Sequence, residues 1–200
     1  PVKKAESERG RLNCGPSKNR IPLLPNIHLH LLGRLRMPQD LLFDLDSVDL
    51  TRTQISMEEV RAHNPQRFEF EQLDGLAYFN PEEKIAVAAR TLRKDEFWTK
   101  GHMPGRPIFP GVLLLEAAAQ LCSFYTCMAV ETGNVYGFGG ADRVRFRRVL
   151  EVGDSFHLLA SPVNISARRS LFKTQAVVEG RLAFEASIFG IALPPANGEQ

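Results

Sequence analysis

The sequence is organised by residues 99–130, which read TKGHMPGRPIFPG followed by VLLLEAAAQLCSFYTCMAV. Three glycines and three prolines fall within residues 101–111, so this part forms neither a helix nor a regular strand. We expect a stiff, specifically shaped loop there. Residues 112–130 contain no glycine or proline and are rich in strong helix formers. They predict a helix that begins near Gly111 and ends near Gly133.

The predicted helix is apolar on nearly every side, which indicates a helix buried in the core of the protein. Its polar residues are Glu116, Gln120, Ser123 and Thr126. At about 100° per residue, the first three of these fall into one narrow stripe with Cys127. A membrane span is consistent with the length, but Glu116 and Gln120 favour a core helix. A carboxylate at the head of a buried stripe indicates either a chemical role or a glutamate that pairs with an arginine or reaches solvent.

Residues 101–111, followed by Glu116 and by Ala119 and Gln120, closely resemble the signature of the (3R)-hydroxyacyl-[acyl-carrier-protein] dehydratases of the hotdog fold. The resemblance implies an α+β architecture in which an antiparallel β-sheet wraps a long central helix. Met103 stands where phenylalanine is usual in the family.

Two shorter stretches support the resemblance. Residues 65–74 resemble the family's early Pro-His-Arg-Tyr-Pro-Phe segment, with Gln66 where histidine is usual. Residues 138–148 resemble its later Gly-Ile-Asp-x-Val-Arg-Phe-Arg-Arg segment. All the stretches occur in the family's order and cover about residues 55–192.

The chemistry that the resemblance implies needs three groups. Dehydration of a 3-hydroxyacyl thioester requires a base for the α-proton, an acid for the departing hydroxyl and a donor for the thioester oxygen. His102 is the histidine of the loop, and its ordinary pKa suits a base near neutral pH. Glu116 on the predicted buried helix is the expected acid, because burial favours a protonated carboxyl. The backbone N–H of Gly111 opens the helix and is expected to polarise the carbonyl. In the family these positions have these roles.

The resemblance also implies the partners. The substrate carrier is an acyl carrier protein, and the acid comes from the partner subunit, which makes a homodimer the minimum active unit and leaves a hexamer open. Neither a metal nor a redox cofactor is expected. The expected acid is a glutamate, Glu116, and not an aspartate. In this respect the chain resembles the chain-elongation dehydratases of fatty acid or related lipid biosynthesis. Two alternatives stay open: a hotdog acyl thioesterase, and a non-catalytic acyl-binding hotdog subunit.

The remaining secondary structure follows from local patterns. A capping box at residues 56–59 predicts a short helix over residues 57–63. Alternating apolar residues from Phe68 to Arg93, interrupted by the turn residues 80–83, predict a hairpin. Further strands are predicted at residues 135–146, 155–164, 171–179 and 182–192, with a tight turn at residues 179–181. We therefore expect one hotdog domain at residues 51–194, an N-terminal extension at 1–50 with little order, and a C-terminal tail at 195–200.

Charge and cysteine content limit the class of protein. The net charge is +2, but residues 1–37 carry eight basic and two acidic side chains, so the rest is slightly acidic and nucleic-acid binding is not indicated. The N-terminal segment is basic like an organellar transit peptide, yet it is not rich in serine. The three cysteines, Cys14, Cys122 and Cys127, predict no disulfide framework. A reducing, cytoplasmic location is expected.

Several other side chains have modest expected roles. Gln120, one turn after Glu116, is expected to orient that carboxylate or a water molecule and not to react itself. The arginines at positions 143, 145 and 147 alternate along a predicted strand, so they either share a face that meets an acidic carrier protein or form a solvated face. Three further expectations concern histidines: a helix cap or surface role for His63, a strand surface for His157, and loop positions for His28 and His30.

Overall fold

The computed structural model describes residues 41–130 and 133–193. The expectations for Cys14, His28 and His30, and for the tail at residues 195–200, concern residues outside these ranges.

Two helices and six strands make up the described chain. The helices are α1 (Met57–His63) and α2 (Gly111–Ala129). The strands are β1 (Gly75–Asn80), β2 (Ile85–Thr91), β3 (Val135–Phe146), β4 (Ser155–Ile165), β5 (Arg169–Val178) and β6 (Arg181–Leu193). All six strands form one antiparallel sheet in the order β1-β2-β4-β5-β6-β3, which leaves β1 and β3 at its edges. The predicted capping box is present, with both of its hydrogen bonds between Ser56 and Glu59.

Helix α2 is the centre of the core, as its apolar composition predicts. It packs on strands β2 to β6, and Ala117, Ala118 and Leu121 are completely buried against the sheet. Phe124 and Tyr125 continue this contact, and the Tyr125 ring lies edge-on to a sheet phenylalanine at 5.3 Å. Burying an aromatic side chain contributes about 1.5–3 kcal/mol, so this face of α2 holds the helix in the sheet. The α+β arrangement predicted from the sequence is confirmed.

The structure differs from the prediction at three places along this core. Helix α2 ends at Ala129, before the predicted stop, because Val130 is already extended. Phe68–Phe70 form a 3-10 turn instead of the start of a strand, and Phe68 has a left-handed φ of 58° that a strand excludes. The predicted hairpin therefore begins only at Gly75.

A second apolar cluster lies on the sheet face opposite α2. Its buried members, on strands β2, β4 and β5, are Ile85, Val87, Leu159 and Val177. An N-terminal strap at residues 41–50 covers them with Leu41, Leu42, Phe43, Leu45 and Leu50. The Leu42 N–H donates to Oε1 of Gln175 at 2.8 Å and ties the strap to β5. The sequence predicts residues 41–50 to belong to an extension with little order, yet in the structure they form an outer layer of the sheet.

This outer layer predicts how the protein tolerates truncation. A chain that starts at Met37 is expected to keep the free energy of unfolding of the full chain. A chain that starts at Thr51 exposes the outer cluster and is expected to lose about 3 kcal/mol or more, at about 25 cal/mol per Å² of newly exposed apolar surface. Urea denaturation of the two truncated chains beside the full chain measures the difference. Equal stability of the two truncated chains would contradict the stabilising role of the strap. Unfolding of the chain that starts at Met37 would show that residues 1–36 are needed for folding.

Candidate active site

The loop before α2 holds His102 in a frame of backbone hydrogen bonds. The His102 N–H donates to the Trp98 carbonyl at 2.8 Å, and the Ile108 N–H donates to the His102 carbonyl at 2.8 Å. Phe109, buried with its ring 5.4 Å from that of Trp98, donates its N–H to the Leu150 carbonyl at 2.7 Å. The loop is thus fixed at both ends, as its proline and glycine content predicts.

The His102 ring has a defined tautomer. Its Nδ1 lies 2.8 Å from the Ile108 carbonyl oxygen. A carbonyl oxygen only accepts hydrogen bonds, so Nδ1 carries the hydrogen in the neutral ring. The lone pair is therefore on Nε2, which is the nitrogen of this partly buried ring that can accept a proton.

Glu116 lies in the second turn of α2 and is held by the residue one turn further on. Nε2 of Gln120 donates to Oε1 of Glu116 at 2.8 Å, which confirms the orienting contact expected for Gln120. Gln120 is buried, and its Nε2 also donates to the Phe70 carbonyl at 2.6 Å. Glu116 itself is only partly buried within one chain, whereas a buried carboxyl was predicted. The difference arises because this face of α2 borders an open cleft instead of the sheet.

The cleft beside Glu116 runs between α2 and the strands at the β3 end of the sheet. The residues that line it are Gln66, Glu116, Ala119, Cys122, Ser123, Tyr136, Gly137, Phe138, Ser170, Ile188, Phe189 and Gly190. His102 is not one of them. Within one described chain, then, the structure does not bring the expected base and acid into one cleft.

Gly111 is the first residue of α2, directly after Pro110. Among the described residues its backbone N–H donates to no other group. A Cβ at this position would lie 2.9 Å from the Phe146 ring, so glycine allows β3 to approach the start of the helix. The free N–H is the donor that the sequence predicts at this position, whereas the close approach of Phe146 is a packing contact that the sequence did not predict.

The structure agrees with only some of the expectations for the other side chains. Arg143 has a φ of 54° at a bulge in β3, and Arg147 lies beyond the strand and pairs with Glu185, so the predicted alternation of the three arginines along one strand is wrong. All three residues are nevertheless exposed, in agreement with the solvated alternative. His63, at the end of α1, has its ring Nδ1 3.0 Å from the Glu59 carbonyl oxygen, in the surface role expected. His157 is half-buried on the outer face, where desolvation lowers its pKa.

The two described cysteines are free, and burial raises the pKa of each thiol, most strongly at Cys122. Cys122 lies in the core, and Cys127 is partly buried. No group of three or more metal-ligating side chains occurs in the described residues. Helix α2 alone among the described helices is long and apolar enough to cross a membrane, and here more than half of it is buried inside the protein.

Sequence reasoning missed the contacts that fix residues 64–72 against α2. The Asn64 side chain donates to the Gln120 carbonyl at 2.9 Å, and the Gln72 N–H donates to Oε1 of Gln120 at 3.0 Å. The available signal was Asn64, which directly precedes the family-like segment and whose side-chain amide needs hydrogen-bond partners when it is buried. The identity of its partner depends on tertiary structure.

Comparison with known proteins agrees with this geometry. Residues 64–187 match the FabA-like domain family. The chain belongs to the FabA-like family. It is 35% identical over 137 residues to the 3-hydroxyacyl-[acyl-carrier-protein] dehydratase FabZ of Pectobacterium atrosepticum, an alignment that covers 67% of this chain and 90% of the relative. It is 35% identical over 139 residues to the same enzyme of Escherichia coli O9:H4, with the same coverage.

A solved structure has the same fold as this FabA-like protein. The dehydratase heterocomplex ApeI:P from Xenorhabdus doucetiae superimposes with a TM-score of 0.59 at 11% identity, over 68% of this chain and 91% of that one. The family and the hotdog fold predicted from the sequence are confirmed.

Proposed function

We propose that this FabA-like protein removes water from (3R)-hydroxyacyl-[acyl-carrier-protein] to give the trans-2-enoyl product. The observation that carries the proposal is the fixed tautomer of His102. Because Nδ1 is committed to the Ile108 carbonyl, Nε2 is available to take the α-proton of the substrate. The dehydratase names of the relatives support the same reaction.

Glu116 is the proposed acid. Gln120 occupies Oε1 of the carboxyl group, so Oε2 is left to hold the proton that the departing hydroxyl needs. The unbonded N–H of Gly111, at the positive end of the α2 dipole, is proposed to stabilise negative charge on the thioester oxygen. The reaction moves two protons and breaks one C–O bond with no net oxidation, so it requires no redox cofactor.

The proposed site is shared between two chains of a homodimer. His102 does not line the Glu116 cleft of its own chain. Strand β3 is an edge strand of the sheet. Val112, Phe138 and Phe146, close to that edge and to the start of α2, are 72%, 50% and 53% exposed. An apolar surface beside an open edge supports pairing with a second copy. Pairing would bring the partner's loop to the cleft.

Acyl carrier protein is the proposed partner, because both relatives are named for substrates carried on it. The bulge at Arg143 interrupts the alternation of the three arginines. A basic surface for the carrier would therefore be formed by β3 as a whole and not by one row of arginines. The cytoplasm is the proposed location, since the two described cysteines are free thiols.

The test is incubation of the full chain with (3R)-hydroxyacyl carrier proteins of several chain lengths, followed by mass spectrometry of the carrier. Dehydration lowers the mass of the acyl-carrier by one water and leaves the thioester intact. Release of free carrier would instead identify a thioesterase. An unchanged carrier at every chain length would contradict the proposed activity.

A further inference from the structure

The segment that precedes β1 is fixed over the cleft by its contacts to one side chain. Asn64 bonds to the backbone of Gln120, and Gln72 and Phe70 bond to its side-chain amide. These contacts lie on either side of Gln66 in the chain, so the backbone at Gln66 is held between attachments to Gln120, one helical turn after Glu116, and its side chain lines the same cleft as Glu116. A side chain attached there has a defined position.

Gln66 has an unused hydrogen-bond acceptor. Its Oε1 is buried and accepts no hydrogen bond from the described residues, although the side chain lines the Glu116 cleft. A buried polar atom without a partner is destabilising, and such atoms commonly mark a functional site. Asn64 Oδ1 and Gln72 Oε1 are also unpaired, but neither residue lines this cleft. Among the three, Gln66 is the one placed to meet a substrate.

We infer that Gln66 binds the 3-hydroxyl of the substrate by accepting its O–H hydrogen. This inference rests on the proposed dehydratase function. A hydroxyl has one hydrogen to donate and lone pairs that accept. With its hydrogen on Oε1 of Gln66, the hydroxyl oxygen turns a lone pair toward the proton of Glu116.

These groups account for every proton and bond in the elimination of water. Nε2 of His102 takes the α-proton, the C–O bond breaks with its electron pair on oxygen, and Glu116 protonates that oxygen. The water that leaves holds one hydrogen from Glu116 and the original hydroxyl hydrogen bonded to Gln66. Gln66 thus selects substrates that carry a hydroxyl and orients that hydroxyl for departure.

The amide also explains a departure from the family's usual sequence. Histidine is usual at this position, and a neutral imidazole can accept a hydrogen bond through its free nitrogen. Protonation removes that acceptor near the ordinary pKa of histidine, about 6.5. A glutamine side chain accepts a hydrogen bond at any pH in this range, so Gln66 is expected to keep hydroxyl binding independent of pH.

The first test is Gln66→Leu, which keeps the approximate size of the side chain and removes the amide. We expect kcat/KM for the 3-hydroxyacyl carrier to fall about 10- to 100-fold, the range for one lost hydrogen bond at a buried site. Binding of a saturated acyl carrier, which has no hydroxyl, should be unchanged. The thermal midpoint should stay the same or rise, because an unpaired buried oxygen is removed. Gln175→Leu, which removes a buried amide on the opposite face of the sheet, is the control and should keep wild-type kcat/KM.

The second test is Gln66→His, which restores an acceptor. Its kcat/KM should approach that of the original protein above pH 7.5 and fall at lower pH along a new limb near pH 6.5. If Gln66→Leu keeps full kcat/KM, or if it weakens saturated and hydroxylated acyl carriers equally, the inference is wrong. A Gln66→Leu protein that fails to fold would also contradict it, since a structural role would then account for the residue. Failure of the original protein to dehydrate any substrate would instead overturn the proposed function.

Discussion

His102→Ala and Glu116→Gln are each expected to lower kcat by about 10²- to 10⁴-fold, the contribution typical of a positioned base or acid. His102→Ala removes the nitrogen that takes the α-proton. Glu116→Gln keeps the shape of the side chain and its position beside Gln120, but an amide has no acidic proton to give. Both residues are partly exposed, so neither change should alter folding. Steady-state turnover of a 3-hydroxyacyl carrier, with circular dichroism as a check of the fold, measures the effect.

The chain offers a matched control for each change. His157→Ala alters a half-buried histidine on the outer sheet face, and Glu179→Gln alters a mostly exposed carboxylate that pairs with Arg148. Both control variants should turn over substrate at the original rate. If either His102→Ala or Glu116→Gln keeps near-original kcat, the roles proposed for the pair are wrong.

Local sequence patterns determine much of this fold. The run of residues 112–130 without glycine or proline marks α2, and the strand bounds at Val135–Phe146 agree with the prediction because alternation and flanking turns act over short distances. Glu179 and Gly180, with φ of 49° and 71°, form the predicted tight turn between β5 and β6. Each of these features depends on neighbours along the chain.

The features that the sequence did not reveal depend on contacts between distant residues. Phe68–Phe70 turn away from a strand while the Phe70 carbonyl bonds to Gln120, fifty positions later in the chain. The strap at residues 41–50 is apolar without a clear period, and only the outer cluster gives it a place. The bulge at Arg143 shifts the register of β3 and breaks the alternation on which the arginine prediction depended. A sequence periodicity of two residues for a strand, or of three to four residues for a helix, carries no information about these distant partners.

Some features of the candidate site likewise follow from local sequence, and others depend on tertiary structure. The spacing of Glu116 and Gln120, one helical turn, predicts their hydrogen bond. The tautomer of His102 depends on the Ile108 carbonyl, which the loop turns back toward the ring, and no pattern of residue types indicates that direction. The partial exposure of Glu116 likewise depends on which face of α2 the sheet leaves open.

The second large effect concerns the division of the site between subunits. In a two-fold dimer, two identical sites form, each with His102 from one chain and Glu116 from the other. A heterodimer of a His102→Ala chain and a Glu116→Gln chain therefore has one site with both changes and one site with neither. Each parent protein is inactive, yet the mixture should be active. Random pairing of equal amounts makes half of the dimers mixed, so about a quarter of the original activity is expected.

The most direct measurement is the turnover of such mixed subunits, made after the two variant chains have been exchanged and the heterodimers confirmed by native mass spectrometry. Activity near a quarter of the original, against almost none for either parent alone, is the predicted result. No recovery of activity in verified heterodimers would contradict the account, because His102 and Glu116 would then act within one chain.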